Sequence, residues 1–317
     1  MRVGQNPIKS VEKIDPPAPV TVVVISSIPF LSGYYAESLE VLKLCLESLH
    51  AHTVGKYDLL VFDNGSCFEV REYLLEEQSA KRIDFLLLSE RNIGKPGAWN
   101  AAFAAAPGDF VAYADSDVYF YPDWLAASIE TLKAFPKAGV VTAMPMLIPE
   151  KNSTATISWA KLQSGVKVER GQLLPWEDFW RHARSLGDSE QQARRFYVEN
   201  RAIRITHKGK RYFAGAAHFQ FTARKSALQA VLPIPAERPM GRVRLLDEAM
   251  NVAGYLRLCT ENWYVQHLGN VVPEDLEFAT LAKAKKRAGK GGIWRWAPIR
   301  ALLQRIYGWS FDHLHRG

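Results

Sequence analysis

The order of hydrophobic and polar positions from residue 20 to residue 145 predicts alternating strands and helices. Short apolar runs rich in Val, Leu and Phe recur roughly every 25–35 residues, as buried parallel strands do. Leucines at helical spacing over residues 37–49, and an alanine-rich stretch ending at residue 106, predict helices between them. The apolar runs are residues 21–25, 59–62, 85–88, 110–114 and 140–143. This alternation predicts a mostly parallel sheet flanked by helices.

The fourth apolar run ends on two carboxylates that one serine separates, Asp115 and Asp117. Ligands of open α/β sheets bind beyond the carboxyl ends of the strands, so these acids lie where chemistry is expected. Side chains two positions apart on a strand point to the same face. We therefore expect both carboxylates to face one hard cation, with water and phosphate oxygens as its other ligands. Two aspartates around one residue are a weak signal alone, so the flanking residues decide.

Polar residues also follow the first two apolar runs. Ser26 and Ser27 end the first run, and Asp63 precedes an Asn-Gly pair after the second. Because Asn-Gly is a strong turn signal, one interpretation places Asp63 in a surface turn. The other places its carboxylate at a strand end, where it accepts a hydrogen bond from a nucleotide base.

A glycine-containing helix start follows the third apolar run. Asn92, Gly94 and Lys95 precede Pro96, a residue suited to the first turn of a helix. Such a helix start can hold phosphate through its free N–H groups, and the alternative is a simple capped loop. The glycine and lysine spacing of a P-loop is absent.

Residues 151–212 depart from the regular alternation and are interpreted as an insert. Residues 188–189 predict a helix start, and residues 208–210 predict a hairpin tip. Trp176, Phe179 and Trp180 form an aromatic cluster, which is more typical of a core than of a sugar-binding platform.

Three further segments follow the insert. Residues 215–221 predict a strand, and a short helix is expected from residue 224. Residues 245–248 include the adjacent acids Asp247 and Glu248, and residues 263–267 predict a strand that ends on His267. A plain surface acid and a structural strand-end histidine are the alternatives to a functional role.

Taken in order, these motifs resemble the large inverting, family 2-like glycosyltransferase family with the A-type fold, which uses nucleotide-diphosphate sugars as donors. The resemblance covers about residues 20–145 closely and the later residues in patches. It implies a Rossmann-like, mostly parallel sheet flanked by helices, with an acceptor-side insert and a basic C-terminal tail. The motifs are Ser26-Ser27, the D-N-G-S of residues 63–66, the N-x-G-x-x-G-A-x-N of residues 92–100, Asp115-Ser116-Asp117, and the P-D-W-L of residues 122–125.

The resemblance also implies roles for the donor-side residues. The first-strand loop with Ser26 and Ser27, together with Asp63, holds the nucleotide base. Asp115 contacts the ribose, and Asp117 binds Mg²⁺ or Mn²⁺. The remaining residues expected to contact the nucleotide sugar are Asn92, Gly94 and Lys95.

On the acceptor side, the resemblance implies a catalytic base in an acidic pair and a metal-ligating histidine. Asp247 is the first choice for the base and Glu248 the second, although the usual order of the pair is Glu-Asp. The spacing from this pair to Gly254 is also shorter than in the family pattern. His267 stands where many members of the family carry a metal ligand.

The net charge of +7 is distributed unevenly along the chain. Residues 283–317 carry +8 and residues 151–212 carry +7, so the rest of the chain carries −8. Tryptophans beside basic residues near the C-terminus suit an anionic lipid headgroup interface. A solvated tail and a helix packed on the domain are the alternatives. Nucleic acid is disfavoured as a partner because no recognised binding module accompanies the charge.

The pattern of residues 1–19 and the cysteine usage both favour a reducing compartment. No apolar run approaches the roughly 18 residues that suggest a membrane span, and residues 1–19 lack a secretory pattern. The three cysteines are odd in number and lack metal-type spacing, and Cys45 lies on an apolar helical stripe. We therefore expect the protein in the cytoplasm or peripherally on the inner face of the membrane.

The sequence predicts an N-terminal tether (1–19), a nucleotide-sugar-binding half (20–145), an acceptor-binding half (146–277, including the insert) and a basic, aromatic tail (278–317). The predicted function is metal-dependent, inverting sugar transfer to a hydroxyl of a glycan or lipid-linked acceptor, in bacterial surface-polysaccharide assembly. One alternative is a sugar nucleotidyltransferase, although residues 26–29 lack the Gly-rich loop with Arg and Lys normal for that class. The other is a non-catalytic nucleotide-sugar or membrane-binding protein.

Overall fold

A computed structural model describes residues 4–273 apart from residues 12 and 239, so the whole of the predicted tail lies outside the described residues. This part of the chain contains two sheets and the helices around them. The strands are β1 (Val20–Ser26), β2 (Asp58–Asn64), β3 (Phe85–Ser89), β4 (Phe110–Asp115), β5 (Val118–Phe120), β6 (Ala138–Thr142), β7 (Lys167–Gly171), β8 (Ala202–His207), β9 (Lys210–Ala214), β10 (Gln220–Arg224), β11 (Leu256–Cys259) and β12 (Val265–His267). The α-helices are α1 (Ser38–His52), α2 (Phe68–Ser79), α3 (Lys95–Ala105), α4 (Trp124–Ala134), α5 (Thr154–Leu162), α6 (Trp176–Ser185), α7 (Glu190–Glu199), α8 (Lys225–Gln229) and α9 (Arg244–Val252).

The larger sheet has ten strands in the order β3-β2-β1-β4-β10-β6-β11-β9-β8-β7. Strands β1 to β4 pair in parallel, as do β6 and β11, whereas β10 lies antiparallel between β4 and β6. All the strands of this sheet except β7, β9 and β10 therefore point in one direction. This arrangement confirms the predicted mixed α/β fold with a mostly parallel sheet. Strands β5 and β12 form a separate two-stranded ribbon.

Strand β1 is buried along its whole length, because helices cover both faces of the sheet. Val22 and Val24 pack against the apolar stripe of α1, which includes Cys45. Val23 and Ile25 face the opposite layer, where Trp99 of α3 contributes a large buried ring. The continuous apolar run thus folds as a central parallel strand, as predicted. Its polar end, Ser26, is brought to the carboxyl edge of the sheet beside the ends of β2 and β4.

The predicted strand over residues 215–221 is wrong in its first part, since β10 begins only at Gln220. Gly215 has a φ of +111°, and a Cβ there would lie 2.6 Å from Ile148. The carbonyl of Ala216 accepts a hydrogen bond from Arg257, and the N–H of Ala217 donates to the hydroxyl of Thr142. These backbone groups are satisfied by side chains instead of a neighbouring strand, so the segment runs as a loop.

The insert folds as predicted at its helix start and its hairpin. Ser189 caps α7 in a capping box with Gln192, and a two-residue turn with positive φ, Lys208-Gly209, joins β8 to β9. The predicted aromatic cluster lies half-buried between α6 and α7, where Arg194 covers the Trp176 ring at 4.3 Å. No helix in the described part of the chain is both long and apolar enough to cross a membrane.

Candidate active site

Asp115 ends β4 at the centre of the carboxyl edge of the sheet, and its carboxylate already has two partners. Lys95 of α3 lies with its Nζ 2.6 Å from Oδ2, and the hydroxyl of Tyr113 donates to Oδ1. Burial raises the pKa of Asp115, and the nearby Lys95 ammonium opposes this effect. The structure therefore brings together Lys95 and Asp115, two of the residues predicted to contact the nucleotide sugar.

Asp117 does not lie on β4, because the strand ends at Asp115 and residues 116–117 form the turn into β5. The expectation that both carboxylates share one face of a strand is therefore wrong. Asp117 instead faces His267, with Oδ2 3.2 Å from Nε2. Its Oδ1 is buried and has no hydrogen-bond partner within the described part of the chain. Burial alone would raise the pKa of Asp117, but the charge of His267 and the hydrogen bond to it lower the pKa overall.

His267 is oriented by Ser185 at the end of α6. The Ser185 hydroxyl donates to the carbonyl of His182, so its oxygen accepts the proton of His267 Nδ1 across 2.9 Å. In the neutral ring, Nε2 then presents a lone pair toward the Asp117 carboxylate. Burial opposes the charged form of His267, but Asp117 raises the pKa of the ring above its ordinary value.

This arrangement fits a divalent cation. A neutral imidazole nitrogen and a carboxylate oxygen 3.2 Å apart both offer lone pairs, which a shared proton or a metal ion satisfies. The orphaned Oδ1 of Asp117 adds an unused acceptor. Because imidazole nitrogen is a poor Mg²⁺ ligand and an acceptable Mn²⁺ ligand, the donor set favours Mn²⁺. Residues 4–273, as far as they are described, contain no cluster of three His, Cys, Asp or Glu that could hold a metal by itself.

Two residues of α6 that sequence reasoning missed adjoin this pair: Ser185 and His182. The His182 ring lies 5.8 Å from that of His267 and 5.1 Å from that of Phe219, between ring centroids. Burial, with a contribution from the charge of His267, lowers the pKa of His182 to about 3. No local pattern in the insert distinguishes these residues, because their role depends on packing against β12, which lies more than 80 residues later.

The Asp63 carboxylate is fully buried beneath the loop that follows β2. It accepts hydrogen bonds from the Ser26 hydroxyl at 3.1 Å and from the Ser66 backbone N–H at 3.2 Å. The surface-turn interpretation of Asp63 is therefore wrong. Both oxygens bond within the two loops, so in this structure Asp63 stabilises the donor-side loops from below.

Ser27 and Asn92 lie together above that buried layer. The Asn92 amide donates to the Ser27 hydroxyl at 3.0 Å, and its oxygen accepts from Asn64 and from the Gly94 N–H, at 3.0 and 2.7 Å. Gly94 has a φ of +78° and caps α3, whose first residue is Lys95. The predicted donor-side residues thus share one edge of the sheet, from the ends of β1 and β2 to the start of α3.

The acceptor-side acids are separated by their positions on α9. Asp247 is buried, and its Oδ1 lies 2.6 Å from Nη2 of Arg257 and 2.8 Å from Nε2 of His218. Glu248 is exposed. Sequence reasoning missed Arg257 altogether and treated His218 only as part of a strand. Asp247 and Glu248 both line a cavity of about 280 Å³, together with Lys151, Asn152, Arg244 and Asn251.

Comparison with known proteins shows which family this chain resembles. Residues 34–184 match the model of Glycosyl transferase family 2. Residues 34–184 are therefore similar to a family 2 glycosyltransferase domain. A structure of GalNAc-T7 with UDP, GalNAc and Mn²⁺ superimposes with a TM-score of 0.52 and 13% identity, over 94% of this chain and 50% of that one. That similarity shows a shared A-type glycosyltransferase fold, as predicted.

Two curated proteins are similar in sequence to part of this chain. An uncharacterized glycosyltransferase of Nostoc sp. is 31% identical over 102 residues, which are 32% of this chain and 31% of that protein. The succinoglycan biosynthesis protein ExoW of Rhizobium meliloti is 29% identical over 104 residues, 32% of this chain and 33% of that protein. The chain thus spans about a third of the length of these relatives.

Proposed function

We propose that the protein is a metal-dependent, inverting glycosyltransferase that transfers a sugar from a nucleotide-diphosphate sugar to a hydroxyl group. The observation that carries this proposal is the pair of Asp117 and His267, which lies beside Lys95 and Asp115 at the carboxyl edge of a family 2-like domain. The lone pairs of Asp117 and His267 suit a divalent cation. The neighbouring Lys95, at the start of α3, suits the diphosphate that this cation accompanies.

Separate groups of residues would contact the nucleotide sugar and the acceptor. Ser27 and Asn92 offer polar groups at the strand ends, and Lys95 offers a positive charge near the diphosphate. Asp115 suits the ribose hydroxyls. A divalent cation bound by Asp117 and His267 would supply positive charge to the departing diphosphate.

Inversion requires a proton acceptor on the side of the sugar opposite the leaving group. Asp247 is the better placed of the two predicted acids, because it is buried beside His218 whereas Glu248 is exposed. It acts on the acceptor hydroxyl either directly or through His218. The similarity to a succinoglycan biosynthesis protein supports a growing glycan, free or lipid-linked, as the acceptor in bacterial surface-polysaccharide assembly.

The test of this function combines nucleotide binding with product analysis. UDP, GDP, dTDP and CDP, each with Mn²⁺, should be compared for the rise in melting temperature that they cause, and the best nucleotide identifies the donor. The matching nucleotide sugar should then release nucleoside diphosphate in an acceptor-dependent reaction. Release of pyrophosphate from a nucleoside triphosphate and sugar phosphate would instead identify a nucleotidyltransferase.

Asp117→Asn keeps the side-chain shape but removes the charge that holds the cation. We expect turnover to fall by about 10²-fold or more and Mn²⁺ alone to lose its effect on melting temperature. Asp109→Asn is the matched control, because exposed Asp109 lies just before β4 at its opposite end. Full activity of the Asp117 variant, or of the wild type in excess EDTA, would contradict the metal role.

A further inference from the structure

His218 lies against Asp247 with one ring nitrogen bonded and the other left available. Its Nε2 is 2.8 Å from Oδ1 of Asp247. Because a carboxylate only accepts hydrogen bonds, Nε2 carries the proton and Nδ1 keeps its lone pair. Within the described part of the chain, Nδ1 has no hydrogen-bond partner, and the side chain is 24% exposed. An imidazole held in this tautomer can accept a proton from a bound hydroxyl group.

His218 also lies on the donor side of Asp247. The next residue, Phe219, accepts a backbone hydrogen bond from the N–H of Asp115 at 2.8 Å. The Trp99 ring lies 6.2 Å from the His218 ring and 5.5 Å from Nζ of Lys95, the partner of Asp115. The imidazole thus contacts the Asp247 carboxylate and lies near residues proposed to bind the nucleotide sugar. The cavity that Asp247 lines directly includes none of those donor-side residues.

Asp247 forms an ion pair with a buried arginine. Arg257 is 1% exposed, and its Nη2 lies 2.6 Å from the same Oδ1 that accepts from His218. Its other hydrogen bonds go to the backbone carbonyls of Asn152 and Ala216, so Asp247 supplies its one ion pair among the described residues. Loss of Asp247 would leave this guanidinium buried without its counter-charge, which is costly. A carboxylate held in this ion pair is suited to orienting an imidazole and stabilising an imidazolium.

We propose that His218 is the catalytic base for the acceptor and that Asp247 is its positioning residue, an inference that rests on the proposed sugar transfer. The acceptor O–H proton passes to Nδ1 of His218 while the acceptor oxygen forms a bond to the anomeric carbon. The bond from that carbon to the diphosphate oxygen breaks, and its electron pair stays on the diphosphate. The imidazolium, stabilised by Asp247, then releases its proton to solvent.

The test replaces the imidazole and reads the pH dependence of turnover. In His218→Gln, we expect kcat to fall by about 10²–10⁴-fold, the usual contribution of a general base. The decrease of kcat at acidic pH that we expect for the wild type should be absent from this variant. The charged groups near the ring are Asp247 of α9, Arg257 of β11 and Lys95 of α3. His207→Gln is the control, because it removes a histidine from the distant β8 hairpin and should leave the profile unchanged.

Chemical rescue separates a proton acceptor from a structural role. Imidazole in solution should restore turnover to His218→Ala and not to Asp247→Asn. Stabilisation by nucleotide and Mn²⁺ should match that of the wild type in all variants, which shows that the donor side is folded. If a His218 variant is not stabilised by nucleotide and Mn²⁺ as the wild type is, His218→Asn is used in its place.

Two outcomes would overturn the role of His218: wild-type kcat in His218→Gln, or a reduced kcat that still decreases at acidic pH and is not rescued. If the wild type transfers no sugar from any nucleotide donor, the proposed function itself fails, and the His218 variants play no part in that result.

Discussion

Single residues set how closely the donor-side loops approach each other, and Gly65 is the clearest example. Its φ is +78°, and a Cβ there would lie 2.6 Å from the backbone nitrogen of Asn92 and 2.7 Å from the backbone carbon of Arg91. At Gly65, the backbone of the loop after β2 therefore packs directly against the backbone of the loop before α3. That contact holds Asn92 within reach of Ser27.

Gly65→Ala should destabilise the protein by roughly 2–4 kcal/mol, since strain at positive φ adds to a clash with rigid backbone. The matched control is Gly165→Ala, where φ is also +78° but nothing lies within 4 Å, so only the conformational cost remains. Urea unfolding gives both values. Nucleotide affinity should also fall in the Gly65 variant, because Asn92 is displaced. Equal destabilisation in the two variants would show that the loops can separate without cost.

At the same scale, the donor-side residues and the acids Asp247 and Glu248 could be predicted from sequence, but the partners of Asp247 could not. Asp115 and Lys95 each follow a recognisable local pattern, a strand end and a helix start. His218 and Arg257 meet Asp247 only because β10, β11 and α9 converge in the fold. Their sequence neighbourhoods carry no local signal, since a histidine in a small-residue loop and an arginine in a short strand are ordinary. The turn that moves Asp117 off β4 was missed for the same reason.

Among the elements, helix α6 of the insert contributes side chains directly to the candidate site at the carboxyl edge of the central sheet. Ser185 at its C-terminal end accepts from His267, and His182 one turn earlier lies against the same ring. The insert therefore helps to orient a proposed metal ligand, in addition to any part it plays with the acceptor.

His182 should make stability depend on pH. Burial lowers its pKa to about 3, below the value of 6.5 of a free side chain, so the unfolded chain binds more protons between these values. Stability from this group is complete above about pH 6.5 and is lost as the pH falls toward 3. Between pH 7 and pH 5, the loss should be roughly 2 kcal/mol.

His182→Phe keeps a ring against Phe219 but cannot bind a proton. Urea unfolding at the two pH values should therefore show a smaller difference for this variant than for the wild type. An unchanged difference would mean that other groups cause the acid sensitivity.

The elements that sequence predicted are those with repeated local patterns. Strands β1 to β4 and β6 follow from the apolar runs that buried parallel strands need, so they were predicted within one or two residues. Three short or edge strands were missed: β5, β7 and β11. Strand β7 is polar and half-exposed at the end of the sheet, and β5 and β11 have only three and four residues. Their pairing partners are distant in sequence, so no local period indicates them.

For the whole molecule, the uneven charge predicts a membrane contact. The tail lies outside the described residues, so this expectation rests on its composition of +8 and three tryptophans within residues 283–317. Each basic residue near an anionic surface contributes roughly 1 kcal/mol. Deletion from Lys283 onward should release the protein from anionic liposomes in co-sedimentation. Activity on a short water-soluble acceptor should survive, since the donor-side residues lie upstream.

Salt and lipid composition provide the controls for this prediction. Binding of the full chain should weaken at 1 M salt, where the screening length is about 3 Å, and neutral liposomes should bind less. If the full chain ignores anionic liposomes at low salt, or the truncated chain still binds them, the tail is not the membrane contact.

The position of β10 between β4 and β6 has a consequence for synthesis on the ribosome. Strand β4 emerges with one edge paired to β1, but the strand that covers its other edge is encoded about 105 residues later. At roughly 5–20 residues per second, that edge stays open for roughly 5–20 s. An open, apolar strand edge can pair with a neighbouring nascent chain. Chaperone binding during translation would therefore protect the strand that carries Asp115.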